Sequence, residues 1–370
     1  MLTPLPEETE AALARRVALM RGASVCGPED AERILAAFEG LDLPIEAGPI
    51  HFYPIKSLRR STMRRTLGGR SVILHDEELS DTLHLLEIAH IGEERPLMAW
   101  AVFARVLAEF MLAGPQPVLG LCMALQAEAQ GERFAREDGA YDRPQVIARP
   151  GEFAMDAPID DVLTQYSAER LEGGKLQRLI VLLHEIGHGY WDAAPDWRAY
   201  WTRVAGELID PLYQADPLGA DVRYGLLRIR DMPDAEKAEK AAQLIAGLTE
   251  EIACDYFALT LLFHNQARVG LEPEAMFRAF FRFLRYVDLL GDVRQQANER
   301  AQNKVRFRSV STNVDLRMRA LFKLLTADVP GPWGEISGTL KGAEAELRAL
   351  DLEALQSEFR TSQYLAGQIA

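Results

Sequence analysis

One segment constrains the fold of this chain more than any other: an apolar run that ends in two histidines and a glutamate. Residues 179–183 are all apolar, and the sequence HEIGH follows directly, from His184 to His188. Positions four apart lie on one face of a helix, so the pattern predicts a buried helix that presents both imidazoles on the same side. Polar groups on a buried helix need partners, and a metal ion would satisfy both histidines.

The HExxH spacing is typical of a zinc site. Two imidazoles one helical turn apart can both reach one Zn²⁺ ion at bond lengths of about 2.0–2.1 Å. Glu185 lies beside them, where it could take a proton from a metal-activated water without binding the metal. The alternative is a helix with two core histidines that bind other partners. Because the chain has only 7 histidines in 370 residues, the pattern is expected by chance about 0.01 times. We therefore predict one zinc ion per chain.

A catalytic zinc site needs a third protein ligand, and the segment LTEEIACDYFALTLL, which begins at Leu248, offers one. Glu251 and Asp255 are four residues apart, so both would face the same side of an apolar helix. We predict that Glu251 binds the metal and that Asp255 accepts a hydrogen bond from the distal nitrogen of one zinc histidine. Glu250 lies about 140° around the helix from Asp255 and is expected to point elsewhere. The alternative for Glu251 is a place on a solvent-exposed acidic face.

Together the two segments resemble the gluzincin metallopeptidases, in which HExxH on one helix is followed by ExxxD on a later helix. The version here, EIACDYFA from Glu251, is similar to the ExxADxxA segment of the CAAX prenyl proteases and HtpX peptidases. It also resembles the ExEANxFA segment of the ImmA/IrrE proteases and the Lit-type phage-exclusion peptidases. The resemblance covers approximately residues 175–325, with 63 positions from His188 to Glu251.

This resemblance implies a zinc-dependent endopeptidase that cleaves a protein or peptide substrate. His184, His188 and Glu251 would be the ligands, and Asp255 would support one of the histidines. Zinc would polarise the scissile carbonyl, and Glu185 would take a proton from water and pass it to the leaving amine.

A later segment, STNVDLRMR from Ser311 to Arg319, is similar to the STHPP…R segment of the CAAX proteases. In that group a histidine and an arginine assist the transition state, and the resemblance places Asn313 and Arg319 in those roles. Asn313 stands where the family has histidine, and its amide can donate a hydrogen bond but carries no charge. The alternative is that Arg317 and Arg319 are ordinary charges on a helix surface.

Composition narrows the choice of partner and compartment. The chain has 41 Lys and Arg against 55 Asp and Glu, and its net charge of −14 disfavours nucleic acids and anionic membranes as partners. Its 3 cysteines are widely spaced, which does not indicate a disulfide framework. The longest apolar stretch, 98–114, contains Arg105 and Glu109 and is too short for a membrane span, and no signal peptide is recognisable. We expect a cytoplasmic protein.

The hydrophobic pattern predicts a mostly helical α+β fold with a zincin-like core and a small antiparallel sheet. We divide the chain into an N-terminal helical extension (1–45), a metallopeptidase domain (46–330) and a C-terminal helical tail (331–370). Two short helices are predicted within 7–40, and strands near 49–56, 70–75 and 144–155. Further helices are predicted at 96–130, 175–192, 235–267, 273–290, from 315 onward and at 341–356.

The same residues are compatible with two other functions. The zinc could stabilise a non-catalytic regulatory or binding protein whose N-terminal half recognises a partner. The chain could instead be a latent peptidase that a trigger activates, and a role in stress or phage defence would then follow by analogy. Solvent access at the metal separates the first of these from an enzyme, because a catalytic site keeps one coordination position open.

Overall fold

The structure, a computed structural model, describes the parts of the chain that carry the predicted metal ligands. The described residues are 7–18, 23–27, 32, 34, 36, 38–43, 50–57, 60, 62–67, 70–91, 168–209, 233–302 and 314–326. The predictions for 96–130, 144–155 and 331–370, and the one for Asn313, lie outside these residues. Within the described part, helices predominate and one small mixed sheet is present, which confirms the α+β class.

Among the described residues, four strands form the sheet in the order β1-β2-β4-β3. They are β1 (Ala23–Val25), β2 (Ile50–Ser57), β3 (Met63–Leu67) and β4 (Arg70–Asp76). The prediction of an antiparallel sheet is wrong for the central pair, because β2 and β4 run parallel. The β3–β4 hairpin explains the difference: β3 returns the chain along the outer side of β4, and β4 then enters the sheet beside β2 in the same direction.

The N-terminal segment 1–45 contains one strand, β1, that was not predicted. Helix α1 (Glu7–Ala18) is present, but β1 follows it and pairs antiparallel with the C-terminal half of β2. A three-residue strand has no hydrophobic period of its own, so the pairing partner decides its conformation. Alternate side chains of the sheet then pack on α1, which contributes Leu13 and Val17 to this smaller core.

Eight helices are described. The predicted helices at 175–192, 235–267, 273–290 and from 315 onward are confirmed. The helices after α1 are α2 (Glu77–Ile91), α3 (Ala168–Ala193), α4 (Pro195–Val204), α5 (Asp234–His264), the short α6 (Gln266–Val269), α7 (Pro273–Gln302) and α8 (Val314–Thr326). A π-helical turn, Ala205–Ile209, extends α4. Helices α2 and α4 and strand β3 were not predicted.

The main core places α3 at the centre of the described helices. Its apolar run 179–183 is buried, together with apolar side chains of α2, α5, α7 and α8. Ile50 and Ile73 extend this core from the inner face of the sheet. The HExxH segment is therefore held by packing on several sides. Within the described part of the chain, no helix combines the length and apolar composition needed to cross a membrane.

Candidate metal centre

Helices α3 and α5 carry the predicted ligands, and they pack directly against each other at a glycine. A Cβ atom at Gly187 would lie 3.0 Å from the Cα atom and 3.3 Å from the carbonyl oxygen of Cys254, so a side chain there would require the α5 backbone to move away. Gly187 is one of the variable positions of HExxH, and Cys254 lies between the two acidic residues of ExxxD. The close approach at this point brings the two motifs together.

The crossing places three potential ligand residues in one group. The ligand atoms of His184, His188 and Glu251 all lie within 4.8 Å of one another. The Nε2 atom of His184 is 3.5 Å from one Glu251 carboxylate oxygen, and the Nε2 atom of His188 is 3.8 Å from the other. Two imidazole nitrogens and a carboxylate oxygen form a donor set of the kind that transition metals bind. The group could hold a metal ion.

Each histidine also has a carboxylate at its distal nitrogen. The Nδ1 atom of His184 is 2.9 Å from Asp255 Oδ1, and the Nδ1 atom of His188 is 2.7 Å from Glu250 Oε1. A carboxylate near Nδ1 leaves Nε2 as the metal-binding atom. The His188–Glu250 contact has hydrogen-bond geometry, whereas the His184–Asp255 contact is a short ion pair. The expectation that Glu250 points elsewhere is therefore wrong: it does not join the ligand group, but it reaches the second histidine.

A third helix, α8, supplies a buried arginine behind the group. The Nε and Nη2 atoms of Arg317 donate to the two Asp255 oxygens at 2.7 and 2.6 Å, and its Nη1 atom is 3.2 Å from Glu251 Oε2. Arg317 is only 3% exposed, so the alternative that it is a surface charge is wrong. Such a bidentate pair also restricts the orientation of the carboxylate. Arg317 thus binds the predicted ligand Glu251 and also Asp255, the carboxylate that contacts the predicted ligand His184.

These contacts shift the pKa values of the group. Burial acts to lower the pKa of His184, but the Asp255 and Glu251 carboxylates outweigh it and raise the pKa to about 10. Burial acts to raise the pKa of Glu251, but Arg317 and the two histidines lower it to about 2. The pKa of Asp255 is lowered by Arg317 and His184 against the effect of its burial. Without a metal, His184 is an imidazolium between two carboxylates, and a metal at Nε2 has to replace its proton.

Glu185 lies beside the group and is not part of it. Burial raises the pKa of its carboxyl, against the opposing effects of the two histidines and of a hydrogen bond from the Arg64 backbone amide. A carboxyl with a raised pKa exchanges protons more readily near neutral pH than an ordinary glutamate does. The placement of Glu185 suits proton transfer at the edge of the metal group.

The structure does not test the two roles that came from the later sequence match. Asn313 lies outside the described residues. Residue 319 belongs to α8, but its side chain lies outside them too, so both assignments stay predictions.

Sequence reasoning missed four contributors to the site: Arg64, Gly187, Glu250 and Arg317. Each acts through a partner on another element, and no spacing within one segment identifies such a partner. Only Gly187 carried a local signal, because a glycine inside a helix disfavours the helix unless a neighbour needs the space.

Compared with known protein families, curated proteins and solved structures, the chain matches none.

Proposed function

We propose that this protein is a zinc-dependent peptidase of the gluzincin type. The observation that carries the proposal is the convergence of His184 and His188 on α3 with Glu251 on α5. Glu185 follows His184 on α3 and lies beside this group. Three protein ligands of this kind are the donor set of catalytic zinc sites, in which a fourth position stays open. Two imidazoles and a carboxylate also bind Fe²⁺ on other scaffolds, and zinc is proposed here because both imidazoles come from HExxH on one helix, the arrangement of zinc peptidases.

The chain's own residues divide the work in this proposal. A bound zinc ion supplies Lewis-acid polarisation of a carbonyl and lowers the pKa of a water molecule. Glu185 accepts the proton of the attacking water and delivers it to the amine that leaves. Asp255 orients the ring of His184, and Glu250 orients the ring of His188. Arg317 fixes Asp255 and Glu251 together, which keeps two acidic side chains ionised in a buried place.

The edge of the sheet beside the site supports an extended polypeptide as the substrate. In the described part of the chain, β3 is hydrogen-bonded on one side, to β4. Leu67 and Arg70 pair across a two-residue connection, so the backbone groups of Arg64 and Thr66 face away from β4. A backbone hydrogen bond from Arg64 is one of the influences on the pKa of Glu185, so this edge of β3 runs past the candidate base. An extended peptide could add to such an edge by backbone hydrogen bonds.

A cleavage assay with a matched control tests the proposal. Purified wild type, Glu185→Gln and Glu207→Gln are loaded with zinc and incubated with a complex peptide mixture, and new N-termini are counted by mass spectrometry. Glu207 is exposed, so its variant should cleave like the wild type. Glu185→Gln should keep its zinc and lose activity about 100-fold or more, as removal of a general base does.

Two outcomes would contradict the proposal. Cleavage by Glu185→Gln at the wild-type rate would remove Glu185 from the mechanism. A wild type that binds one zinc and yields no new termini from any peptide would favour a non-catalytic protein that zinc stabilises.

A further inference from the structure

Arg64, on the edge strand β3, is bonded to both the sheet and the metal-bearing helix. Its Nε atom donates to Ser71 Oγ at 2.7 Å within the β3–β4 hairpin. Its Nη1 atom donates to the backbone carbonyl of His188 at 3.2 Å and also pairs with the Asp192 carboxylate. One guanidinium therefore fixes the position of β3 relative to the end of α3 that carries His188.

The end of α3 needs a positive charge that its own sequence does not supply. The last turn of α3 contains no basic residue, and it contains Asp192. The C-terminal end of a helix carries a partial negative charge from its carbonyl groups, so an acidic residue there is unfavourable. Arg64 brings the missing cation from another element. The side chain of Arg64 is 18% exposed and that of Asp192 57% exposed, so the pair lies at the border between the interior and solvent.

The backbone of the same residue meets α3 at a second point. The Arg64 amide interacts with the Glu185 carboxylate, and the strand register directs this amide away from β4. Glu185 and Asp192 are seven residues apart, so they lie on one face of α3, about 10 Å apart along its axis. Arg64 spans this distance, with its backbone at the candidate base and its guanidinium at the C-terminal end of the helix.

We propose that Arg64 is a positioning residue of the candidate site. Its guanidinium locks β3 onto α3, and this holds the Arg64 amide against Glu185 and keeps β3 beside the metal group. The proposal rests on the proposed peptidase function for its effect on catalysis. Its structural part, the locking of β3, does not depend on that function.

Arg65 provides a matched control on the adjacent position. It is exposed, and its Nη1 atom donates to the Arg64 carbonyl at 3.2 Å rather than to α3. Arg64→Met and Arg65→Met remove the same charge from the same strand. Arg64→Lys keeps the charge but not the forked geometry that reaches several acceptors at once.

The first readout is amide hydrogen exchange across β3, measured by NMR on the metal-free full-length protein. In the wild type the Arg64 amide should be protected by Glu185. Its exchange should become about tenfold or more faster in Arg64→Met, since several hydrogen bonds to a charged group are lost. Arg65→Met should leave it unchanged, and Arg64→Lys should fall between. Unchanged exchange in Arg64→Met would overturn the proposal.

The second readout separates positioning from general destabilisation. Zinc affinity, measured by competition with a chelator, should change less than about threefold in Arg64→Met, because the ligand side chains keep their own partners. If peptides are cleaved, kcat should fall about tenfold or more in Arg64→Met at unchanged zinc occupancy, and Arg64→Lys should restore part of it. Loss of zinc in Arg64→Met, or an equal loss of kcat in Arg65→Met, would contradict the assignment.

Should Arg64→Met fail to fold, the double variant Ser71→Ala with Asp192→Asn removes two partners and keeps the arginine. It should show faster exchange at the same amide, and wild-type exchange there would overturn the proposal. A wild type without peptidase activity would refute the proposed function and leave the exchange results to decide on Arg64.

Discussion

Gly187 and Cys254 lie so close together that a Cβ atom at residue 187 would come within 3.0 Å of the Cys254 Cα atom and 3.1 Å of its Cβ atom. This contact sets the distance between the helix that carries both histidines and the helix that carries Glu251. The site therefore depends on the absence of a side chain at a position inside HExxH that binds nothing.

Gly187→Ala should destabilise the protein and weaken metal binding together. The new methyl group would collide with backbone atoms, which cannot rotate away as a side chain can, and overpacking of this kind costs about 1–3 kcal/mol. The measurements are the free energy of unfolding in urea and the zinc dissociation constant. Gly189→Ala is the control on the same helix, since its nearest neighbour would be 3.8 Å away. It should be neutral or about 0.5–1 kcal/mol more stable. Equal effects of the two substitutions would contradict this account.

Arg317→Met should be among the most destabilising single substitutions in α8. It leaves Asp255, which is fully buried, and Glu251 without their cation, and breaking a buried ion pair costs about 3–5 kcal/mol. The free energy of unfolding of the metal-free protein measures this loss. Lys323→Met, at an exposed position of the same helix, is the control. A stability loss of less than about 1 kcal/mol in Arg317→Met would show that the pair is not formed in solution.

The two carboxylates behind the histidines should differ in their effect on metal binding. Asp255→Asn should weaken zinc binding about 10–100-fold, because the partner of His184 is lost in a buried place. Glu250→Gln should have a smaller effect, since the Glu250 side chain is 36% exposed and water can replace it at His188. Chelator competition gives both affinities. A larger effect from Glu250→Gln would reverse the roles assigned to the two residues.

The metal-free protein should become less stable as the pH rises above about 6.5, the usual pKa of histidine. The folded-state pKa of His184 is about 10, because Asp255 and Glu251 outweigh its burial. Between these values the folded state keeps a proton that the unfolded state releases. The contribution is therefore fully present below about pH 6.5 and is lost as the pH rises through about 10.

Urea unfolding in the presence of a chelator, at about pH 6, 8 and 9.5, measures this dependence. His184→Gln, which has no proton to lose in this range, should show a flatter profile than the wild type. Parallel profiles for the two proteins would mean that His184 is not held as an imidazolium.

The sequence predicted the elements whose pattern is complete within one segment. The apolar run before His184 and the apolar helix around Glu251 identify α3 and α5, and four-residue spacing identifies the faces that meet. Strand β3 was missed because its sequence, MRRTL, lacks the alternation of a half-buried strand. Its place depends on the hairpin with β4 and on the attachment of Arg64 to α3.

Contacts between distant segments could not be predicted in the same way. The angle of about 140° between Glu250 and Asp255 is correct for an isolated helix. A second helix that crosses α5 can nevertheless contact both residues, because its own side chains reach around both sides of α5. Here the two histidines of α3 contact different carboxylates of α5: His184 contacts Asp255, and His188 contacts Glu250. Arg317 is 62 residues from Asp255 in sequence, and only the packing of α8 on α5 brings the two together.

The central claim is that His184, His188 and Glu251 bind one zinc ion, and metal content tests it most directly. Mass spectrometry of purified wild type, His188→Ala and Glu251→Ala, with Glu207→Gln as an exposed control, gives the metal per chain. We predict about one zinc in the wild type and the control, and loss of tightly bound metal in both ligand variants. No metal in the wild type, or equal zinc in all four proteins, would contradict the account.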